Sequence, residues 1–256
     1  MKILYFTGTG NCLAVAKRFN AELLSIPQMI KNNIYQIEDD VVGIIYPTYA
    51  NIVPNIVEKY LRQCKIKAEY VFVIATYGNI AGATLRKMRK ILKSNGNKAN
   101  YYEKLLMVDN YLPLFDIDDQ LSKLPQKDIE TNLNRIVNEV NERTIKPVRS
   151  TITDRLFSFL IGSFESKYAS KTPKLFEVTD ECIGCGICAK VCPVNNIVQN
   201  NKEKPLFNYN CEICFACIHN CPKCAIQMKI QRSEKRFRNS DVNLNEIIDA
   251  NNYNKL

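Results

Sequence analysis

The stretches 182–193, "CIGCGICAKVCP", and 211–222, "CEICFACIHNCP", share one spacing: three cysteines at intervals of three, a fourth after three more residues, then proline. No other feature limits the fold so narrowly. Three thiolates on one tight loop can wrap three irons of a 4Fe-4S cube, while the fourth leaves on the following turn and reaches a different cube. That rule assigns Cys182, Cys185, Cys188 and Cys221 to one cluster, and Cys192, Cys211, Cys214 and Cys217 to a second, related to the first by a pseudo-twofold axis. A zinc site needs four ligands and gives no reason for eight cysteines in two identical fours. Gly184 and Gly186 let the first loop's backbone approach inorganic sulfur; Ile213 and Phe215 take their places in the second, so the two environments should differ. Between the motifs, "IVQNNKEKPLFNY" has a polar centre and apolar ends and predicts a hairpin.

The chain has 11 cysteines in 256 residues. Clustered so tightly in a chain with no sign of export, they favour metal and redox chemistry over a disulfide scaffold. Cys64 and Cys224 fall outside the ligand sets and read as idle thiols. The single histidine, His219, reads as packing, and with only one in the chain the chemistry belongs to cofactors rather than to acid–base side chains.

The formal charge of +9 is spread along the chain, with one dense run, "KRFR" at 235–238, so nucleic acid is not an expected partner. No apolar run approaches the roughly 20 residues of a membrane span. The first twenty residues lack a cleavable signal pattern, and the expected location is the cytoplasm.

Upstream of the cysteines, short apolar runs alternate with helical periods. Strands are expected at 2–7, 34–37, 41–47, 70–76 and 101–108, and helices near 12–24, 54–63 and 82–94. This alternation predicts a parallel α/β sheet. Pro125 is placed to open a closing helix with the stripe Ile129, Leu133, Ile136, Val137 and Val140. The amphipathic segment 154–168 is expected to pack between domains rather than on a membrane, because its polar face is not strongly basic.

The first strand runs into Thr7-Gly8-Thr9-Gly10-Asn11-Cys12. A Walker loop would need a lysine and a magnesium ligand after its last glycine, and neither is present. A dinucleotide loop would need a third glycine where Leu13 stands, although Glu38 could imitate the ribose-binding acid. What remains is a loop of hydroxyls, an amide and backbone N–H groups, suited to a monophosphate that stays bound, such as that of flavin mononucleotide (FMN). In a doubly wound sheet, ligands lie beyond the carboxyl ends of the strands. Pro47, Thr48, Tyr49 and Ala50, with Thr76, Tyr77, Gly78, Asn79 and Gly82, therefore complete the candidate set, the two tyrosines as stacking partners of the isoalloxazine ring.

With these motifs together, the chain resembles the fused flavodoxin–ferredoxin proteins of anaerobic bacteria. The resemblance rests on the paired cysteine motifs, on "TGTGN", and on the Pro-Thr-Tyr and Thr-Tyr-Gly loops. It implies a doubly wound five-stranded parallel sheet of order 2-1-3-4-5 that binds FMN, followed by a small α+β two-cluster ferredoxin domain. The corresponding divisions are 1–148 for the flavodoxin-like domain, 149–171 for a helical connector, 172–230 for the ferredoxin domain and 231–256 for a basic, polar tail. The implied function is electron transfer between two 4Fe-4S clusters and FMN, with other redox proteins as partners. The alternative is a flavin-dependent reductase of a quinone or nitro compound, with the ferredoxin domain as electron inlet. Cys12 departs from the flavodoxin pattern, which has Thr or Ser there; a thiolate at that place would repel a phosphate.

Overall fold

The computed structural model describes residues 1–50, 52–148, 175–199 and 203–252. The expected connector helix at 154–168 lies outside the described residues. Five parallel strands form the main sheet: β1 (Lys2–Tyr5), β2 (Glu22–Ser25), β4 (Val41–Pro47), β6 (Tyr70–Tyr77) and β7 (Tyr101–Leu106). Their order is β2-β1-β4-β6-β7, the flavodoxin-like 2-1-3-4-5 order. The strands read as continuous apolar runs because both faces of the sheet are covered. Ile3, Tyr5, Ile45, Phe72 and Ile74 join α1 (Asn11–Ala16) and α6 (Ile129–Asn141) on one side. Leu4, Phe6, Ile44, Val71 and Val73 join α2 (Ile26–Lys31), α3 (Asn55–Leu61) and α4 (Thr84–Ser94) on the other.

One strand is built from residues other than those expected. The edge strand beside β1 is Glu22–Ser25, paired in register Lys2↔Glu22 to Tyr5↔Ser25. The helix expected over 12–24 stops at Ala16. Phe19 turns back to pack against Phe72 at a ring separation of 5.1 Å, and Leu23 and Leu24 then point to opposite faces of the sheet. Period-2 burial wins over the local helical pattern because β1 needs a partner on that edge. The run expected at 34–37 forms β3 (Gln36–Glu38), which pairs in parallel with β5 (Lys65–Lys67) in a separate ladder. Two smaller differences follow the chain further. Helix α5 (Ile117–Ser122) was not expected, and Pro125 opens a single 3₁₀ turn (Leu124–Lys127), so α6 begins only at Ile129.

The cysteine-rich part contains β8 (Phe176–Val178), α7 (Ile187–Lys190), β9 (Ile197–Val198), β10 (Leu206–Phe207), α8 (Ala216–His219) and β11 (Ile226–Met228). The expected hairpin is present as the antiparallel β9–β10 pair, and β8 pairs antiparallel with β11.

The stretch from 231 onward, read from the sequence as a polar tail, is packed structure as far as Asn252. Phe237 is buried, Arg236 donates to the Ile226 carbonyl at 3.2 Å, and Lys235 pairs with Asp118. Asn243 and Glu246 form a reciprocal cap that opens α9 (Leu244–Asn251). That helix lies against α2, where Ser25 Oγ donates to the Ala250 carbonyl. The tail therefore returns to the first domain.

Candidate functional site

The two cysteine loops have the same backbone. Gly184 and Gly186 lie at φ +63° and +75°, and Ile213 and Phe215, their counterparts, are held at +53° and +56°. The second loop thus carries side chains in left-handed positions that the first fills with glycine, at a cost in strain. The match continues beyond the motifs. Asn195 and Cys224, each three residues past the last cysteine of its motif, both lie at φ +50°. The next N–H in each case donates to sulfur, Asn196 to Cys192 Sγ at 3.2 Å and Ala225 to Cys221 Sγ at 3.3 Å. This repetition gives Cys224 a conformational place rather than a ligand's.

The thiols are shared out between two cavities. Cys182, Cys185, Cys188 and Cys221 line one; Cys192, Cys211, Cys214 and Cys217 line the other. Each cavity takes three thiols from one motif and the fourth from the other, as the spacing rule requires. Among the described residues, no three of His, Cys, Asp and Glu converge on a single metal ion. Four thiols around a wider cavity suit a polynuclear cluster. Burial pushes the Cys188 thiol up to about 12 and those of Cys214 and Cys217 well above the ordinary value, with neighbouring cysteines adding to the effect. Iron supplies the positive charge that would hold them as thiolates.

The cavities differ in exposure. The first set has Cys185 exposed, Cys182 and Cys221 half-buried and Cys188 buried; the second has Cys211 and Cys214 half-buried and Cys192 and Cys217 buried, so the one exposed thiol is Cys185. The second loop also sits on the glycine loop: a Cβ at Gly8 would stand 2.7 Å from the Cys214 carbonyl oxygen and 3.3 Å from Cys214 Cβ. Only glycine permits that approach.

Thr7 to Cys12 are all buried. Gly10 N–H donates to Thr7 Oγ1 at 3.0 Å; among the described residues no acceptor is paired with the N–H groups of Gly8, Thr9, Asn11, Cys12 or Leu13. Thr48 Oγ1, at the end of β4 next to β1, is likewise buried without a partner. Four acceptors of the loop, in contrast, are held from outside it. Asn251 Nδ2 donates to the Thr7 carbonyl at 2.9 Å, Asn239 N–H to the Thr9 carbonyl at 2.9 Å, Asn239 Nδ2 to Asn11 Oδ1 at 3.1 Å, and Asn110 Nδ2 to Thr9 Oγ1 at 2.6 Å. Asn11 Nδ2 donates to the Val108 carbonyl at 3.2 Å, so the donors left over are the backbone N–H groups of residues 8, 9 and 11–13, and a buried row of such groups fits a phosphate dianion.

Cys12 does not disturb that fit. Its Sγ lies 3.1 Å from Thr76 Oγ1, and burial pushes its pKa up to about 12, so it is a neutral thiol at pH 7. Pro47, Thr48, Tyr49 and Ala50 follow directly on β4; the Tyr49 ring meets Phe6 edge-on at 6.2 Å, and its hydroxyl is 3.2 Å from the Cβ position of Gly8. Thr76 is buried and Tyr77 half-buried at the end of β6. Gly78 has its carbonyl held by Lys127 Nζ at 2.9 Å, Gly82 is half-buried and Asn79 is exposed. The structure thus gathers Thr7–Cys12, Thr48, Tyr49 and Thr76 at one end of the sheet, with Tyr77–Gly82 along the adjoining loop.

His219 is buried as packing. Its Nδ1 accepts from Phe237 N–H at 3.1 Å and its Nε2 lies 2.9 Å from the Asn110 carbonyl, so Nε2 carries the proton. Burial lowers its pKa to about 4, which keeps the ring neutral. It ties the second cysteine loop to Asn110, which in turn holds Thr9.

Fold and thiol-lined cavities together define an iron–sulfur electron-transfer protein in which a cluster-binding segment is joined to a flavodoxin-like sheet. Residues 174–222 match the family model of the 4Fe-4S dicluster domain. An uncharacterized ferredoxin of Methanocaldococcus jannaschii is 32% identical over 66 residues, covering 24% of this chain and 86% of that protein. The chain belongs to the ferredoxins, a membership carried by its C-terminal part. Solved structures similar to it include a two-electron reduced flavodoxin of Megasphaera elsdenii (17% identity, TM-score 0.31, 40% of this chain and 83% of that one). A flavoprotein of Lactobacillus acidophilus in complex with FMN is 13% identical (TM-score 0.30, 48% of this chain and 97% of that one). The flavodoxin-like assignment rests on the strand order itself. No helix among the described residues is long and apolar enough to cross a membrane.

Proposed function

We propose that the protein carries low-potential electrons between two 4Fe-4S clusters and a bound FMN, exchanging them with other redox proteins. The observation that supports it most is the seat of Cys214 on Gly8, which sets the thiols of one cavity against the loop fitted for a phosphate. In this reading Cys182, Cys185, Cys188 and Cys221 hold the outer cluster, and Cys192, Cys211, Cys214 and Cys217 the inner one. When bound, each cluster exchanges one electron and FMN one or two.

The N–H groups of residues 8, 9 and 11–13, with the hydroxyls of Thr7, Thr9 and Thr48, hold the phosphate with neutral donors alone, and Cys12 stays protonated beside it. Tyr49 and Tyr77, with Pro47, Ala50, Thr76, Gly78, Asn79 and Gly82, border the ring. Cys185 is exposed, so the outer cluster is the port for a partner. The N–H groups of Asn196, Ile213 and Ala225 donate to Cys192, Cys211 and Cys221 and stabilise thiolate charge there.

An anaerobic visible spectrum with metal and flavin counts tests the reading. About eight irons and one FMN per chain are expected from two such clusters and one flavin site. Zinc in place of iron overturns the cluster assignment, and iron without flavin overturns the FMN assignment. Saturable turnover specific to one small acceptor would replace the carrier by a reductase.

A further inference from the structure

In a loop whose peptides are turned so that N–H groups point inward, the carbonyls of the same peptides point outward. Whatever holds the carbonyls fixes the direction of the donors. In this chain the Thr7 carbonyl, whose peptide carries the free Gly8 N–H, is held by Asn251 Nδ2 of the returning C-terminal segment; Asn239 braces the loop beside it, with its backbone N–H on the Thr9 carbonyl and its Nδ2 on Asn11 Oδ1. Val242 packs beside them: its Cβ lies 3.1 Å from where a Gly10 Cβ would stand. The segment is anchored away from the loop, where Lys17 Nζ reaches the Asp241 carbonyl at 2.7 Å and Glu246 at 2.9 Å. Asn251 is fully buried, yet among the described residues its Oδ1 has no partner. Its amide donates to Thr7 while leaving an acceptor unsatisfied, a cost that points to a position chosen for the donor rather than for stability.

We infer that Asn239 and Asn251 are positioning residues of the phosphate loop: they hold its acceptors outward so that its free N–H groups converge on a phosphate monoester dianion. This rests on the FMN reading of the loop and deepens it, by making the segment 239–251 part of the flavin site. The two residues touch the loop and not the ligand. Their effect is confined to the phosphate end.

The test uses the full chain with its clusters in place and its flavin removed. FMN, riboflavin and inorganic phosphate are titrated anaerobically into the wild type, Asn239→Ala, Asn251→Leu and, as a control, Arg143→Met. Losing one neutral hydrogen bond that orders the loop should weaken FMN by about tenfold in each asparagine variant, with an equal loss for inorganic phosphate. Riboflavin, which lacks the phosphate, should bind all four proteins alike. Asn251→Leu leaves the Thr7 carbonyl without its donor, so some stability should be lost together with FMN affinity, and unchanged riboflavin binding is the readout that separates a misdirected phosphate loop from a damaged fold. Arg143→Met breaks ion pairs with Asp40 and Glu69 at the opposite end of the sheet and should leave FMN binding unchanged. Equal losses of FMN and riboflavin, unchanged FMN binding in both asparagine variants, or a loss in Arg143→Met as large as theirs would overturn the inference while leaving the flavin reading intact. A wild type that takes up neither FMN nor phosphate overturns the flavin reading and this inference with it.

Discussion

Removing cysteines in pairs reads the ligand sets directly. The cavities take their thiols three and one from the two motifs, so Cys188 and Cys221 share a cavity although they lie in different motifs, while Cys188 and Cys192 are in one motif but different cavities. The double variant Cys188→Ala/Cys221→Ala should therefore empty one cavity and leave Cys192, Cys211, Cys214 and Cys217 complete. Half of the metal remains, about four irons per chain, and the reduced protein shows about one unpaired spin. The variant Cys188→Ala/Cys192→Ala removes one thiol from each cavity and leaves no set of four. It should retain no four-thiolate cluster and give less than half the inorganic sulfide of the first variant. The assay is an anaerobic iron and sulfide count beside a spin count after reduction. If each motif instead held its own cluster, the outcomes would exchange places: the second variant would keep about four irons and the first none. That exchange refutes the crossed assignment, and single substitutions cannot give it.

Gly8→Ala would set a methyl 2.7 Å from a backbone oxygen of Cys214, so the two loops must separate; about 1–3 kcal/mol of stability should be lost, measured by urea unfolding of the cluster-loaded protein. Cys12→Thr should change FMN affinity by less than about threefold, because the native thiol is already neutral and backbone donors dominate the loop; a tenfold gain by titration would contradict this. Burial works to raise the Glu139 carboxyl, but hydrogen bonds from Tyr101, Arg135 and Lys146 outweigh it and hold the group down at about 2. A folded value below the unfolded one stabilises the fold above the ordinary carboxylate range and is lost as pH falls from about 4.5 toward 2. The urea midpoint of the wild type should therefore drop over that interval more steeply than that of Glu139→Gln. Lys127→Met would leave the Gly78 and Met107 carbonyls without their donor and cost about 1–3 kcal/mol in thermal unfolding.

The parts legible in the sequence were those written locally. The fixed spacing of eight cysteines anticipates how their thiols are shared between two cavities because the spacing is itself the loop geometry, and β4, β6, α3 and α4 appear within a residue or two of their periodic patterns. What was not legible depends on distant partners. Leu23 and Leu24 fit a helix or a strand equally well by period, and the free edge of β1 decided it. Ile213 and Phe215 looked like a departure from Gly184 and Gly186, yet their backbone is the same, because the loop is fixed by its thiols more than by its glycines. Asn239 and Asn251 carry no motif: they matter to the glycine loop only through contacts across 228 and 244 residues of sequence. The one available signal was the capping box at Asn243 and Glu246, which marks a helix where a tail was expected.

The return of that helix also orders events during synthesis. The sheet can assemble as soon as β7 has left the ribosome, but the carbonyls of Thr9 and Thr7 wait for Asn239 and Asn251, which emerge after all eight ligand cysteines. A glycine loop at the start of the chain is thus completed only by residues made after the whole cysteine-rich segment.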